Sequence, residues 1–118
     1  MINKLLIAFF VLILSATSCP GGWGVTCINF RRGDTNGDST VDIADALFVM
    51  NWLFSGGPAP TCNDATDAND DSSLDISDSI YLLNWLFVNG PVPGSPGPFG
   101  CGLDPSQDSL DCLLASGC

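Results

Sequence analysis

Two acidic segments constrain this chain more than any other feature: "DTNGDSTVDIAD" (residues 34–45) and "DANDDSSLDISD" (residues 67–78). Each places Asp at its first, fifth, ninth and twelfth positions and Asn at its third. Two carboxylates about 4 Å apart repel by roughly 4 kcal/mol at an effective dielectric constant of 20, so four that converge on one point need a cation between them. A merely solvated acidic surface would not explain why the same spacing returns after 33 residues.

The spacing of both segments is of the EF-hand type, in which a twelve-residue loop wraps Ca²⁺ with oxygen ligands from alternate positions. The predicted ligands are the side chains at positions one, three, five, nine and twelve and the main-chain carbonyl of position seven. They are Asp34, Asn36, Asp38, Thr40, Asp42 and Asp45 in the first loop, and Asp67, Asn69, Asp71, Ser73, Asp75 and Asp78 in the second.

Two departures from the usual loop bear on the metal. The sixth position, commonly Gly, is Ser39 in one loop and Ser72 in the other, and Ser tolerates a positive φ poorly. The twelfth position is Asp rather than the longer Glu, which shortens the reach to the ion. We therefore expect a lowered affinity, with Ca²⁺ favoured over Mg²⁺.

An apolar segment of helical period follows each loop and ends in a Gly-Pro stop. The apolar stripes on the predicted helices are Ile43, Leu47, Met50 and Phe54, and Ile76, Ile80, Leu83 and Phe87, with Leu53 and Leu86 beside them. Stripes of this kind usually face the core, and we predict that most of these side chains do so. Two short helices alone would form only a small hydrophobic core, which needs further stabilisation.

The first 18 residues are typical of an export signal, with Lys4, the apolar stretch "LLIAFFVLIL" and small residues before Cys19. The alternative is an N-terminal anchor helix, which the short apolar stretch disfavours. Removal of residues 1–18 leaves 2 bases against 13 acids, a net charge of −11. We expect a secreted protein, or alternatively a cell-surface lipoprotein with a lipid on Cys19.

Six cysteines follow the predicted signal: Cys19, Cys27, Cys62, Cys101, Cys112 and Cys118. An even number in a short exported chain predicts three disulfides, whereas lipidation of Cys19 would leave an odd number. Short loops suggest the pairs Cys19–Cys27 and Cys112–Cys118, with Cys62–Cys101 joining the two halves. A zinc site is disfavoured because the chain has no CxxC pair and no His.

These features divide the chain into the signal (1–18), a Cys-containing segment (19–29), a duplicated domain (30–90, with repeats 34–58 and 67–91) and a Pro/Gly-rich linker with a Cys-rich tail (91–118). Three acids of the tail, Asp104, Asp108 and Asp111, are too sparse for a third loop of the same kind, and we expect them to be solvated. The acidic balance argues against nucleic acid as a partner.

The two loops of form D-x-N-x-D-x-x-x-D-x-x-D, each followed by one helix, resemble those of a type I dockerin domain over residues 30–90. The lead-in "FRRGD" and the surrounding cysteines resemble a Cys-rich bacterial subgroup. The resemblance implies an all-α fold of two loop-helix units, with antiparallel helices and pseudo-two-fold symmetry, followed here by an irregular tail. It also implies two Ca²⁺ ions, no catalysis, and docking onto a cohesin domain that assembles or anchors polysaccharide-degrading enzymes.

Family members contact cohesin through the tenth and eleventh loop positions and through basic residues farther along each helix. The matching positions here are Ile43, Ala44, Met50 and Asn51, and Ile76, Ser77, Leu83 and Asn84. None of these eight is basic, so any contact would be more apolar. Two other functions stay open: a calcium- and disulfide-stiffened structural protein without a cohesin partner, and an enzyme with paired Asp residues, which the lack of a His base disfavours.

Overall fold

The computed structural model describes residues 28–106, 108–114 and 118. The regular elements of this part of the chain are helices: α1 (Ile43–Ser55), α2 (Asn63–Thr66) and α3 (Ile76–Val88). The all-α prediction is confirmed, with α1 and α3 beginning at the tenth positions of the two acidic loops. The short α2, which the sequence pattern did not indicate, lies just before the second loop. The predicted signal, Cys19 and Cys27 fall outside the described residues.

The last acids of each loop begin the helices. Asp42 is the N-cap of α1 and accepts a hydrogen bond from the Ala44 N–H, while the Asp45 carboxylate accepts one from the Asp42 N–H. Asp75 and Asp78 form the same capping box at α3. Such a box satisfies N–H groups that have no partner inside the helix. The loop and the helix of each repeat are therefore one continuous hydrogen-bonded unit.

Helices α1 and α3 pack against each other through small residues. Ala46 and Ser79, the fourth residues of their helices, are both fully buried, and the Ser79 hydroxyl donates a hydrogen bond of 3.1 Å to the Ala46 carbonyl. Leu82 is fully buried in a cluster with Ala46 and Ala68. Equivalent positions of the two repeats thus meet, as a pseudo-two-fold arrangement requires. Among the described residues, no helix has the length and apolar character needed to cross a membrane.

The predicted core stripes are mostly on the surface, and that prediction was wrong. The exposed fraction of six of their side chains lies between 43% and 67%: Ile43, Leu47, Phe54, Ile76, Ile80 and Phe87. Met50 and Leu83 are partly buried, as are Leu53 and Leu86 beside the stripes. The buried positions, such as Val49 and Leu82, lie about a third of a turn away. Each helix is oriented by the capping acid Asp45 or Asp78, which is fully buried, so the apolar stripe turns outward.

The tail folds back onto the duplicated domain. Phe30 and Gly102 exchange main-chain hydrogen bonds of 2.9 and 3.1 Å, and the Asn63 N–H donates to the Asp111 carbonyl at 2.9 Å. The Phe99 ring packs edge-on against Trp85, with ring centres 5.8 Å apart. The segment after residue 90 is therefore packed against the lead-in at Phe30, the segment between the repeats and the second repeat.

Among the described residues, the disulfides are Cys62–Cys112 and Cys101–Cys118. The predicted pairs Cys62–Cys101 and Cys112–Cys118 were wrong, and Cys19–Cys27 lies outside the described residues. Short loops misled the prediction because the fold-back of the tail, which cannot be read from cysteine spacing, brings Cys112 beside α2. Cys62 is buried there with Phe30 and Ala65.

Leu82→Ala should lower the free energy of unfolding by about 2–5 kcal/mol, because it leaves a cavity where the side chain is fully buried. Ile80→Ala on the same helix should cost well under about 1 kcal/mol, because Ile80 is 48% exposed. Denaturant unfolding of both variants in saturating Ca²⁺ measures the difference. Equal losses would show that α3 packs through a different face.

Candidate metal centre

The carboxylate at the first position of each loop accepts main-chain hydrogen bonds that close the loop around it. Asp34 accepts hydrogen bonds from the N–H groups of Asp38 and Ser39, at 3.1 and 2.9 Å. Asp67 accepts the equivalent bonds from Asp71 and Ser72, at 3.1 and 2.8 Å. Both Asp34 and Asp67 are fully buried. The two loops are therefore closed in the same way by the same residue type.

The serines at the sixth positions adopt the backbone conformation that normally calls for Gly. The φ angle is 74° at Ser39 and 65° at Ser72. A non-Gly residue in this region is strained, and the bonds from both serine N–H groups to the buried carboxylates hold it there. The tight turn is thus kept without Gly.

Three acids converge in each loop. One carboxylate oxygen from each of Asp34, Asp38 and Asp45 lies within 4.8 Å of the others, and the second loop groups its equivalents in the same way: Asp67, Asp71 and Asp78. These are the first, fifth and twelfth positions of the predicted ligand sets. The sequence spacing predicted that these acids converge, and their role as metal ligands stays a prediction.

The other predicted ligands have different surroundings. Asp42 and Asp75 cap the helices and are not among these convergent acids. The N–H groups of Thr40 and Ser73 donate to Asp38 and Asp71 at 2.9 and 3.0 Å, which turns the chain at the seventh position. Their assignment as ligands, like that of Asn36, stays a prediction.

The second loop contains two buried acceptor atoms that lack a hydrogen-bond partner among the described residues: Asn69 Oδ1 and Asp78 Oδ1. Both belong to predicted ligands, at the third and twelfth positions. A buried oxygen without a donor costs free energy that a bound cation would recover. The donor set consists of carboxylate and amide oxygens, which suits a hard ion such as Ca²⁺.

Burial and mutual repulsion disfavour the charged forms of these acids when no ion is present. Burial, opposed by hydrogen bonds from the main chain, raises the pKa of Asp45 to about 6 and that of Asp78 to about 7. Burial also raises the pKa of Asp34 and of Asp67. The loops thus concentrate charge that a divalent cation would stabilise.

Arg32, the second arginine of the lead-in "FRRGD", is 1% exposed and ties three segments together. Its Nη1 donates to the carbonyls of Asp64 and Asp67, at 3.1 and 2.8 Å. Its Nε donates to the Ser95 carbonyl and its Nη2 to Asp104 Oδ1, at 3.1 and 2.9 Å. A single guanidinium therefore fixes the start of the second loop and holds the tail against it.

Residues 32–86 match the family model described as the dockerin type I domain. A search of curated proteins and of solved structures found no match to the chain. The match spans both acidic loops, α1, α2 and nearly all of α3. Dockerin domains bind calcium and dock onto protein partners, and the acids that converge in the two loops agree with that chemistry.

The stability of the cation-free protein should fall as the pH rises from about 4 to about 7. Asp45 and Asp78 have folded-state pKa values above the ordinary 3.8, so the folded state binds more protons than the unfolded state in this window. Thermal unfolding in chelator should therefore give a higher Tm near pH 5 than near pH 7.5. Saturating Ca²⁺ should weaken this trend, since it favours ionised carboxylates. A Tm that rises with pH in chelator would contradict the prediction.

Arg32→Ala should lower the free energy of unfolding by about 3–5 kcal/mol. The substitution leaves two buried main-chain carbonyls without a donor and the Asp104 carboxylate without its positive partner. It should also weaken Ca²⁺ binding to the second loop more than to the first, since Arg32 holds Asp67. Denaturant unfolding and calcium titration measure the two effects. Arg31→Ala, which removes the same charge from a partly exposed neighbour, is the matched control, and equal losses in both variants would refute the role of Arg32.

Proposed function

Since residues 32–86 form a type I dockerin domain, we propose that this chain is a secreted calcium-binding docking protein with a cohesin-type partner. In this proposal two Ca²⁺ ions occupy the two acidic loops, and the helices present the contact surface. Docking would serve to assemble or anchor polysaccharide-degrading enzymes. No catalytic role is proposed.

The proposed ligands are the twelve loop residues predicted from the sequence. The convergence of three carboxylates in each loop supports the two ions. The unpartnered, buried oxygens of Asn69 and Asp78 are the observation that carries the proposal most directly. Ca²⁺ would hold the loop and the start of the helix in one geometry, because Asp45 and Asp78 belong to both.

The proposed contact surface is the outward apolar stripe of α1 and α3. It consists of six side chains: Ile43, Leu47, Phe54, Ile76, Ile80 and Phe87. Ile43 and Ile76 are the tenth loop positions, which family members use for cohesin. Of the other positions that correspond to family contacts, Ala44, Asn51 and Asn84 are also exposed, whereas Met50, Ser77 and Leu83 are partly buried. Exposed apolar side chains on neighbouring helices are typical of a protein interface.

Export is supported by the disulfides of the tail. Disulfides persist in oxidising compartments, and both of those described join the tail to itself or to α2. The predicted signal at residues 1–18 agrees with this location. The proposed site of action is therefore outside the cell.

An immobilised cohesin-type domain should capture the protein in Ca²⁺ and release it in chelator, as measured by biolayer interferometry. The double variant Ile43→Ser/Ile76→Ser should weaken capture at least about tenfold, since it removes about 1.4 kcal/mol or more of apolar contact. Val92→Ser changes an exposed apolar residue outside the helices and should leave capture unchanged.

Capture that persists in chelator, or that is as strong for the double variant as for the wild type, would refute the proposed surface. A protein that binds Ca²⁺ but captures no cohesin-type domain would favour the structural alternative, in which the ions and disulfides stiffen a small exported protein.

A further inference from the structure

A third group of acids lies outside the two loops, where the tail meets α2. One carboxylate oxygen from each of Asp64, Asp104 and Asp108 lies within 4.8 Å of the others. Asp64 belongs to α2, whereas Asp104 and Asp108 belong to the tail, beyond the segment that matches the dockerin family. The prediction that the tail acids are merely solvated was wrong for these two, since both are partly buried.

Asp64 is the buried member of this acid group. Its side chain is 7% exposed, and its Oδ1 is buried without a hydrogen-bond partner among the described residues. Its Oδ2 lies 3.7 Å from Cys112 Sγ, but this sulfur is in a disulfide and has no proton to donate. A buried carboxylate with no donor on either oxygen is costly, and the cost rises when its neighbours are also acids.

The available positive charge does not balance the group. Arg32 Nη2 pairs with Asp104 Oδ1 at 2.9 Å and also lies 3.4 Å from Asp70 Oδ1. Arg32 Nη1 reaches the main-chain carbonyl of Asp64 and not its carboxylate. Three carboxylates and one shared guanidinium leave a deficit of about two charges, which one divalent cation would neutralise.

The two tail acids are held in place by neighbouring donors. Asp104 Oδ1 accepts from the Ser106 N–H at 3.0 Å as well as from Arg32. Asp108 accepts from the Leu110 N–H at 2.8 Å and from the Ser72 hydroxyl at 3.1 Å. Such bonds fix carboxylates in the way that outer-shell partners orient metal ligands. Asp108 also lies within reach of Asp67 and Asp70, so the acid group adjoins the second loop.

We propose that Asp64, Asp104 and Asp108 form a third divalent-cation site, which ties the tail to α2. The oxygen-only donor set suits Ca²⁺, since zinc prefers nitrogen and sulfur ligands and the nearby Cys112 is oxidised. The competing explanation is a proton on Asp64, because burial and the adjacent Asp104 and Asp108 raise its pKa to about 7. A proton and a metal ion give different results in the two experiments below.

The first experiment counts bound Ca²⁺ per full-length secreted chain by equilibrium dialysis and elemental analysis at saturating Ca²⁺. Asp64→Asn and Asp108→Asn should each bind one ion fewer than the wild type. Asp111→Asn removes an exposed acid of the same tail and should bind as many ions as the wild type. Unchanged counts in the Asp64 and Asp108 variants would overturn the proposal. If instead the two acidic loops did not bind Ca²⁺, the number of ions bound by the wild type would itself be lower. Failure of the third site and failure of the proposed function therefore give different results.

The second experiment compares Tm in chelator and in millimolar Ca²⁺. In chelator, Asp64→Asn should melt at or above the wild-type temperature, because it removes a repelled charge. In Ca²⁺ the order should reverse, because only the wild type gains the third ion. A Ca²⁺-induced shift of equal size in both proteins would point to a proton and refute the site. Asp108→Asn in the less buried tail gives the same comparison if Asp64→Asn does not fold.

Discussion

The fold depends on one carboxylate in each repeat, the acid at the twelfth position of the loop. Asp45 accepts hydrogen bonds from the N–H groups of Thr35 and Asn36 with one oxygen and from that of Asp42 with the other. It therefore joins the start of the loop to the first turn of α1, and Asp78 likewise bonds to the Asp75 N–H at α3. Because this side chain points into the loop, its hydrogen bonds and not the apolar stripe set the rotation of each helix about its own axis.

This constraint explains where the sequence was a good guide and where it was not. Loop spacing is local, so the convergence of the loop acids, the helix that accompanies each loop and the match to the dockerin family could be predicted from the printed residues. The buried face of each helix could not, because Ala46 and Ser79 are small and carry little hydrophobic signal while the strongly apolar Leu47 and Ile80 dominate the periodicity. The period of the apolar residues identifies a helix reliably. It does not identify the buried face of that helix when a polar group at the helix start fixes the orientation.

Long-range contacts of the tail were likewise invisible in the sequence. The pairing of Cys62 with Cys112, the buried Arg32 and the approach of Asp104 to Asp64 all depend on a chain reversal after residue 90. The sequence did offer one signal for the role of Arg32. This arginine stands next to an acidic loop in a chain with few basic residues, so it was a candidate ion-pair partner for several carboxylates. Cysteine spacing gave none, since several connectivities fit the same sequence.

The bond between Cys62 and Cys112 has a consequence for the symmetry of the molecule. It closes a covalent ring that encloses the whole second repeat, whereas neither disulfide of the described residues encloses the first repeat. For a separation of 50 residues, such a ring removes conformational freedom from the unfolded chain worth about 4 kcal/mol. The two repeats are similar in sequence but thus differ in topology. On unfolding, the repeat inside the disulfide ring gains less conformational entropy than the other repeat.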